Sequence, residues 1–281
     1  MSPYLSPGSV SAIVRPSGGI LLPADAELID SFITWQAAGA AAESSMRQRR
    51  YLLRAFAREF PLLTATEADI VGYVARPVRA ANGKRTVVSA LRIFYSWACA
   101  RDLLPRNPMA LVHQVREVRP LPKPVPEDVL RAALKDADPE QRRAIILGAY
   151  SGLRVSEIAA FHSRTITDMG LVITGKGRVT RRIPIHPLLV PELDFTGWGF
   201  PSWRRVGDHV CVDYIANRVE DALGAPWTTH TLRHRFGTQT YRACHDIRTV
   251  QALLGHSSPN TTARYIALSN DDLQAAVLAV A

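Results

Sequence analysis

Prolines stand at 120, 122, 124 and 126 of the 281-residue chain. Each fixes its own φ, removes a backbone donor and pushes the preceding residue into an extended conformation, so neither a helix nor a sheet runs through them. The chain is therefore expected to fold as two units, residues 23–114 and 127–268. Residues 115–126 form an extended linker made basic by Arg116, Arg119 and Lys123.

The formal net charge is +9, and most of the excess lies before the linker ends. Residues 1–126 hold 16 Lys and Arg against 9 Asp and Glu, whereas residues 127–281 hold 18 against 16. A basic first half suits a polyanion, and a nearly balanced second half suits a few cations placed at a site. Cys99, Cys211 and Cys244 lack CxxC spacing and are odd in number, which points to a reducing cytosol and away from a disulfide framework. No apolar run is long enough to cross a bilayer, and residues 1–22, rich in Pro, Ser and Gly, read as a flexible leader.

Four helices are expected in the first half. Leu28, Phe32 and Trp35 recur on one side of 25–42. Residues 44–60, with Ser44 as N-cap, place Met46, Leu53, Phe56 and Phe60 on one face and Arg47, Arg50, Arg54 and Arg58 in a stripe on another. Such a stripe suits either solvent or phosphates. Thr66 caps a short helix over 67–75, and Asn82-Gly83 is expected to break the chain before a long helix over 84–101. That helix buries Val87, Leu91, Phe94 and Ala98 and turns Lys84, Arg85, Ser89 and Arg92 elsewhere.

Beyond the linker, residues 127–134 and 140–150 read as helices, and Ser151-Gly152 turns the chain so that Arg154 opens the next one. Residues 165–167, 171–174 and 179–185 are rich in β-branched residues and make a three-stranded sheet, with Gly175-Lys176-Gly177-Arg178 as a hairpin loop. Residues 186–208 carry no readable pattern. A helix over 210–223 follows, then one capped by Thr229 in which His230 and Arg233, at i and i+3, share a face that fits a phosphate. Gly255 ends the helix carrying Val250, Leu253 and Leu254, which leaves His256 on a corner just past its C-terminus. Tyr265 follows on a short helix opened by Ser258-Pro259-Asn260-Thr261. His230 and His234 stand at i and i+4, but the His-Glu-x-x-His pattern of a zinc helix is missing.

Ser151-Gly-Leu-Arg154-Val-Ser-Glu157-Ile158, the Gly-flanked Lys176, His230-Thr-Leu-Arg233, Leu253-Leu-Gly-His256 and Tyr265 resemble, in type, order and spacing, the motifs of the tyrosine recombinases: the phage integrases, Xer proteins and Cre. The resemblance implies a mainly α chain with a small antiparallel β-sheet, built as an N-terminal helical core-binding bundle and a mixed α/β catalytic domain. It also implies six catalytic residues. Tyr265 attacks the scissile phosphate to leave a 3′-phosphotyrosyl bond, and Arg154 and Arg233 grip its non-bridging oxygens. Lys176 is the general acid, His230 the base and His256 a hydrogen-bond donor. Glu157 orients rather than reacts.

By the same resemblance the partner is double-stranded DNA, with Arg47, Arg50, Arg54, Lys84, Arg85, Arg92, Arg119, Lys123 and Arg178 as its basic contacts. No cofactor or metal is implied. The enzyme is expected to act in the bacterial cytosol as a homotetramer on paired sites, with residues 269–281 docking on a neighbouring protomer and accessory bending or directionality proteins as further partners. The implied function is site-specific recombination that integrates and excises a phage or mobile element. An Xer-type resolvase, a type IB topoisomerase-like enzyme and a non-catalytic DNA-binding protein are the alternatives.

Overall fold

A computed structural model describes residues 19–77, 80–116, 123–175, 179–255 and Leu278. The chain divides into two compact units, Met1–Arg119 and Pro120–Ala281.

The first unit holds helices α1 (Pro23–Ala38), α2 (Glu43–Ala57), α3 (Glu67–Ala75) and α4 (Ala81–Cys99). Their apolar stripes meet in an aromatic core in which Phe32, Phe56, Phe94 and Tyr95 are fully buried. Phe94 meets Phe32 edge-on, with ring centroids 5.4 Å apart, a geometry that suits the ring quadrupoles. Two buried polar groups fix the loop after α2: the Leu62 amide donates to the Asp25 carboxylate at 3.0 Å, and the Tyr95 hydroxyl donates to the Leu62 carbonyl at 3.0 Å. Thr66 and Asp69 form a reciprocal capping box at the start of α3.

Several boundaries differ from expectation. Helix α1 stops at Ala38, after which Ala40 takes a positive φ. Helix α2 starts at Glu43 with no side-chain cap, so Ser44 lies inside it. Asn82 and Gly83 do not break the chain but sit in the first turn of α4. A glycine costs a helix about 1 kcal/mol. Burial of Val87, Leu91, Phe94 and Ala98 farther along the same helix outweighs it.

The second unit is built around α6 (Pro139–Ser151), which packs between α9 (Thr229–Cys244) and the other elements. Ala144, Ile145, Ile146 and Leu147 are consecutive and all buried, as expected of a helix covered on every side. Helix α5 (Glu127–Asp136) precedes it, and Asp138 and Gln141 form its capping box. Val125, at the end of the expected linker, is buried in this core and Pro126 is the N-cap of α5, so these two residues belong to the second unit.

After the short α7 (Val155–Ala159) come strands β1 (Ile166–Thr167), β2 (Gly170–Thr174) and β3 (Thr180–Ile183), antiparallel in the order β1-β2-β3. Leu171 pairs with Ile183 and Thr174 with Thr180. The unpatterned residues 186–208 fold on specific contacts instead of periodicity. Pro187–Glu192 forms a 3-10 turn, and Arg143 on α6 donates to the carbonyls of Glu192 at 3.1 Å and Gly199 at 2.8 Å. Helices α8 (Val212–Leu223) and α10 (Ile247–Leu254) complete the described unit. No helix among the described residues is long and apolar enough to cross a membrane.

Candidate active site

Gly152 closes α6 in the left-handed conformation, and the next two residues diverge in burial. Leu153 enters the core, while Arg154 stands at the N-cap of α7 with its side chain about one third exposed. Glu157 folds back to hold it: the Arg154 amide donates to Glu157 Oε2 at 2.9 Å and Arg154 Nη1 to Oε1 at 2.8 Å. The other terminal nitrogen, Nη2, donates to the carbonyl of Gly255 at 3.0 Å.

Arg233 projects from the first turns of α9, which opens with a capping box between Thr228 and Thr231. The cap is thus one residue earlier than Thr229. Arg233 is buried, and its Nη1 and Nη2 donate to the carbonyls of Gly152 and Leu254, each at 2.5 Å. His230, one turn earlier, is exposed, with its ring centroid 4.2 Å from that of the buried His234. Among the described residues no group of three or more His, Cys, Asp or Glu could hold a metal ion.

A third arginine completes this arrangement, and sequence reasoning missed it. Arg181, on β3, meets the same carboxylate with both arms, Nη1 to Glu157 Oε1 at 3.0 Å and Nη2 to Oε2 at 2.6 Å. Its Nε donates to the Leu253 carbonyl at 2.9 Å. At the C-terminal end of α10 the carbonyls of Leu253, Leu254 and the C-cap Gly255 therefore accept from Arg181, Arg233 and Arg154 in turn. A helix C-terminus leaves its final carbonyls without intrahelical donors and carries partial negative charge, and three guanidiniums satisfy both needs. The signal was available: in a strand, residues two apart share a face, so the apolar Ile183 implies a buried Arg181.

Burial alone would raise the Glu157 carboxyl, but the hydrogen bonds and charge of Arg181, and then those of Arg154, outweigh it and hold the group down to about 2. It is thus ionised throughout the physiological range. Beside this cluster an open cleft of about 930 Å³ is lined by Arg154, Glu157, Arg164, Thr174, Gly175 and Gly255.

Arg235, two residues beyond Arg233, is also buried. It donates to Glu127 Oε2 at 2.5 Å and lies 5.3 Å from the Tyr150 ring centre, tying α9 to the start of α5. Lys176, Arg178, His256, Tyr265, Arg119 and, apart from Leu278, residues 269–281 lie outside the described residues.

In the first unit the basic stripe is mostly engaged within the fold. Arg47 pairs with Glu43 at 3.0 Å while exposed, and Arg50 and Arg54 both approach Asp30 on α1, at 3.4 and 3.6 Å. Arg92 donates to the Val112 carbonyl at 2.7 Å and Lys84 to that of Ala75 at 3.2 Å. Arg85 is exposed, as is Lys123 near the start of the second unit. Ser45, Gln48, Arg49, Arg85, Thr86 and Ser89 line a groove of about 250 Å³ between α2 and α4, away from most of the stripe.

The mainly helical fold with its small three-stranded antiparallel sheet is shared with solved DNA recombinases. The structure of lambda integrase residues 75–356 bound to a COC′ core site superposes with a TM-score of 0.69, at 18% identity, over 85% of this chain and 94% of that one. XerH recombinase bound to its difH substrate gives 0.67 at 16% identity, over 94% and 99%. The sequence model described as the Phage integrase family matches residues 209–271. Among curated relatives, tyrosine recombinase XerC of Myxococcus xanthus is 28% identical over 260 residues, covering 80% of this chain and 84% of its own. A putative integrase/recombinase of Sinorhizobium fredii is 30% identical over 208 residues, covering 68% and 66%. The chain belongs to the tyrosine recombinase family.

Proposed function

We propose that this chain is a site-specific DNA recombinase that breaks and rejoins DNA through a covalent bond between Tyr265 and a 3′-phosphate. The observation that carries this reading is the pairing of Arg154 and Arg233 on adjacent carbonyls at the end of α10. Two guanidiniums held side by side neutralise the two non-bridging oxygens of a phosphodiester as charge shifts in the transition state.

The step balances with groups of the chain. The phenolic oxygen of Tyr265 bonds to phosphorus and its proton passes to His230. The bond from phosphorus to the 5′ oxygen breaks, and that oxygen takes a proton from Lys176. His256 donates a hydrogen bond to the phosphate. Because the product is still an activated phosphoester, the 5′-hydroxyl of another strand reverses the step, and no nucleotide hydrolysis is needed.

Double-stranded DNA is the partner, held by the basic first unit, and exchange between two duplexes calls for four active sites in a tetramer. Residues 269–281 are the element proposed to join protomers. Integration and excision of a phage or mobile element is the preferred role. The likeness to relatives named XerC supports a second one, that of an Xer-type resolvase acting on a chromosomal site. Mapping the covalently attached nucleotide on element and host DNA separates the two: attachment at an element–host junction supports integration, and attachment at a chromosomal site alone supports resolution.

A further inference from the structure

We infer that Arg181 is a positioning residue for strand cleavage: through Glu157 it fixes Arg154, and through the Leu253 carbonyl it fixes the end of α10 from which the chain continues to His256. The inference rests on the recombinase reading above and adds a residue outside the six that the family resemblance implies.

The Glu157 carboxylate cannot be held by Arg154 alone. Its side chain is 7% exposed, and a buried carboxylate with a single partly solvated cation stays costly. Arg181, 5% exposed, supplies the second fork and makes the Arg154–Glu157–Arg181 unit internally neutral apart from one positive charge. That remaining charge is what a phosphate would meet at Arg154, the more exposed of the two guanidiniums.

Two glycines bring the backbone onto this unit. A Cβ on Gly175 would stand 3.0 Å from Glu157 Oε1, 3.2 Å from Arg154 Nη1 and 3.3 Å from Arg181 Nη1, so the residue directly before Lys176 rests on all three side chains. A Cβ on Gly255 would stand 2.8 Å from Arg181 Cδ, so the residue directly before His256 rests on the same arginine. One buried guanidinium thus touches, directly or through Glu157, the backbone next to two proposed catalytic groups and the side chain of a third. A misplacement of such groups by about 1 Å costs on the order of 100-fold in rate.

The test measures covalent complex formation by the full chain on a nicked duplex carrying its recombination site, alongside DNA affinity and melting temperature. Wild type, Arg181→Met, Arg181→Lys and the double variant Glu157→Gln/Arg181→Met are compared, the last leaving no unpaired buried charge if the first unfolds. Each is assayed on a normal scissile phosphate and on a neutral methylphosphonate, which asks less of Arg154. Positioning predicts unchanged affinity and cleavage on the order of 100-fold slower for Met and for the double variant. It also predicts little recovery with Lys, which cannot fork, and a gap to wild type at least tenfold narrower on the methylphosphonate. A folded Met or double variant that cleaves within threefold of wild type, or one slowed equally on both substrates, overturns it. Failure of the wild type itself to form the covalent complex overturns the recombinase reading instead.

Discussion

Arg154 and Gly255 are 101 residues apart in sequence, yet the arginine's Nη2 donates to the glycine's carbonyl oxygen at 3.0 Å. The same helix end receives Arg233 and Arg181, so α10 acts as the template on which arginines from three other elements are set. Any change that turns this end of α10 should disturb cleavage before it disturbs DNA binding.

Gly255→Ala makes such a change. Gly255 has φ +62°, where a side chain costs about 1–2 kcal/mol, and the added methyl meets Arg181. The variant is expected to melt several degrees lower and to form the covalent complex at least tenfold more slowly. Its affinity for site DNA should stay within about twofold, as gel-shift titration would measure.

Glu157 links stability to pH. Its folded value of about 2 lies below the ordinary 4.5, so its contribution is fully present above pH 4.5 and is lost as pH falls from there toward 2. The shift corresponds to roughly 3 kcal/mol of stability at neutral pH. Glu157→Gln should therefore flatten the fall in stability between pH 4.5 and 2, measured by urea unfolding across that range. A variant that acid-unfolds as steeply as wild type would remove Glu157 from the account.

Leu232 lies between His230 and Arg233 and is fully buried, with its side chain set against Gly148 of α6. Leu232→Ala should lower unfolding free energy by about 2–5 kcal/mol through lost burial and the cavity left behind. Because α9 carries both His230 and Arg233, cleavage by the folded fraction should slow as well, which single-turnover kinetics would detect.

The basic stripe on α2 is expected to contribute unevenly. Arg47 has a solvated side chain, whereas Arg50 and Arg54 both turn toward Asp30, at 3.4 and 3.6 Å. Arg47→Gln should reduce the salt dependence of DNA binding by about one unit of slope. Arg54→Gln should lower the melting temperature with a smaller change in slope. Titrations at several salt concentrations, with thermal melts, separate the two effects.

Much of this was legible in the chain because periodicity and caps act locally. The Thr66 cap and the apolar series Val87, Leu91, Phe94 and Ala98 are short-range signals, and the structure follows them. The stop at Gly255 was legible too, since a glycine after an apolar helix readily takes a positive φ. Arg181 was not read, because its partners, Glu157 and Leu253, lie 24 and 72 residues away and no local pattern announces a shared carboxylate. Residues 186–208 were unreadable for a similar reason: their order depends on arginines reaching over from α6 and on Trp198 packed between His162 and His209. Asn82-Gly83 carries a turn signal, yet the buried face of α4 that follows it decides the local structure.

A tyrosine that attacks phosphorus between fixed guanidiniums must leave a covalent protein–DNA bond, which trapping on a nicked recombination site would capture. Wild type should become joined to the 3′ side of the break, equally well in EDTA, and Tyr265→Phe should bind the same DNA without becoming joined. Attachment that persists in Tyr265→Phe would rule out this tyrosine as the nucleophile, and attachment that disappears from wild type when divalent ions are removed would rule out a metal-free step.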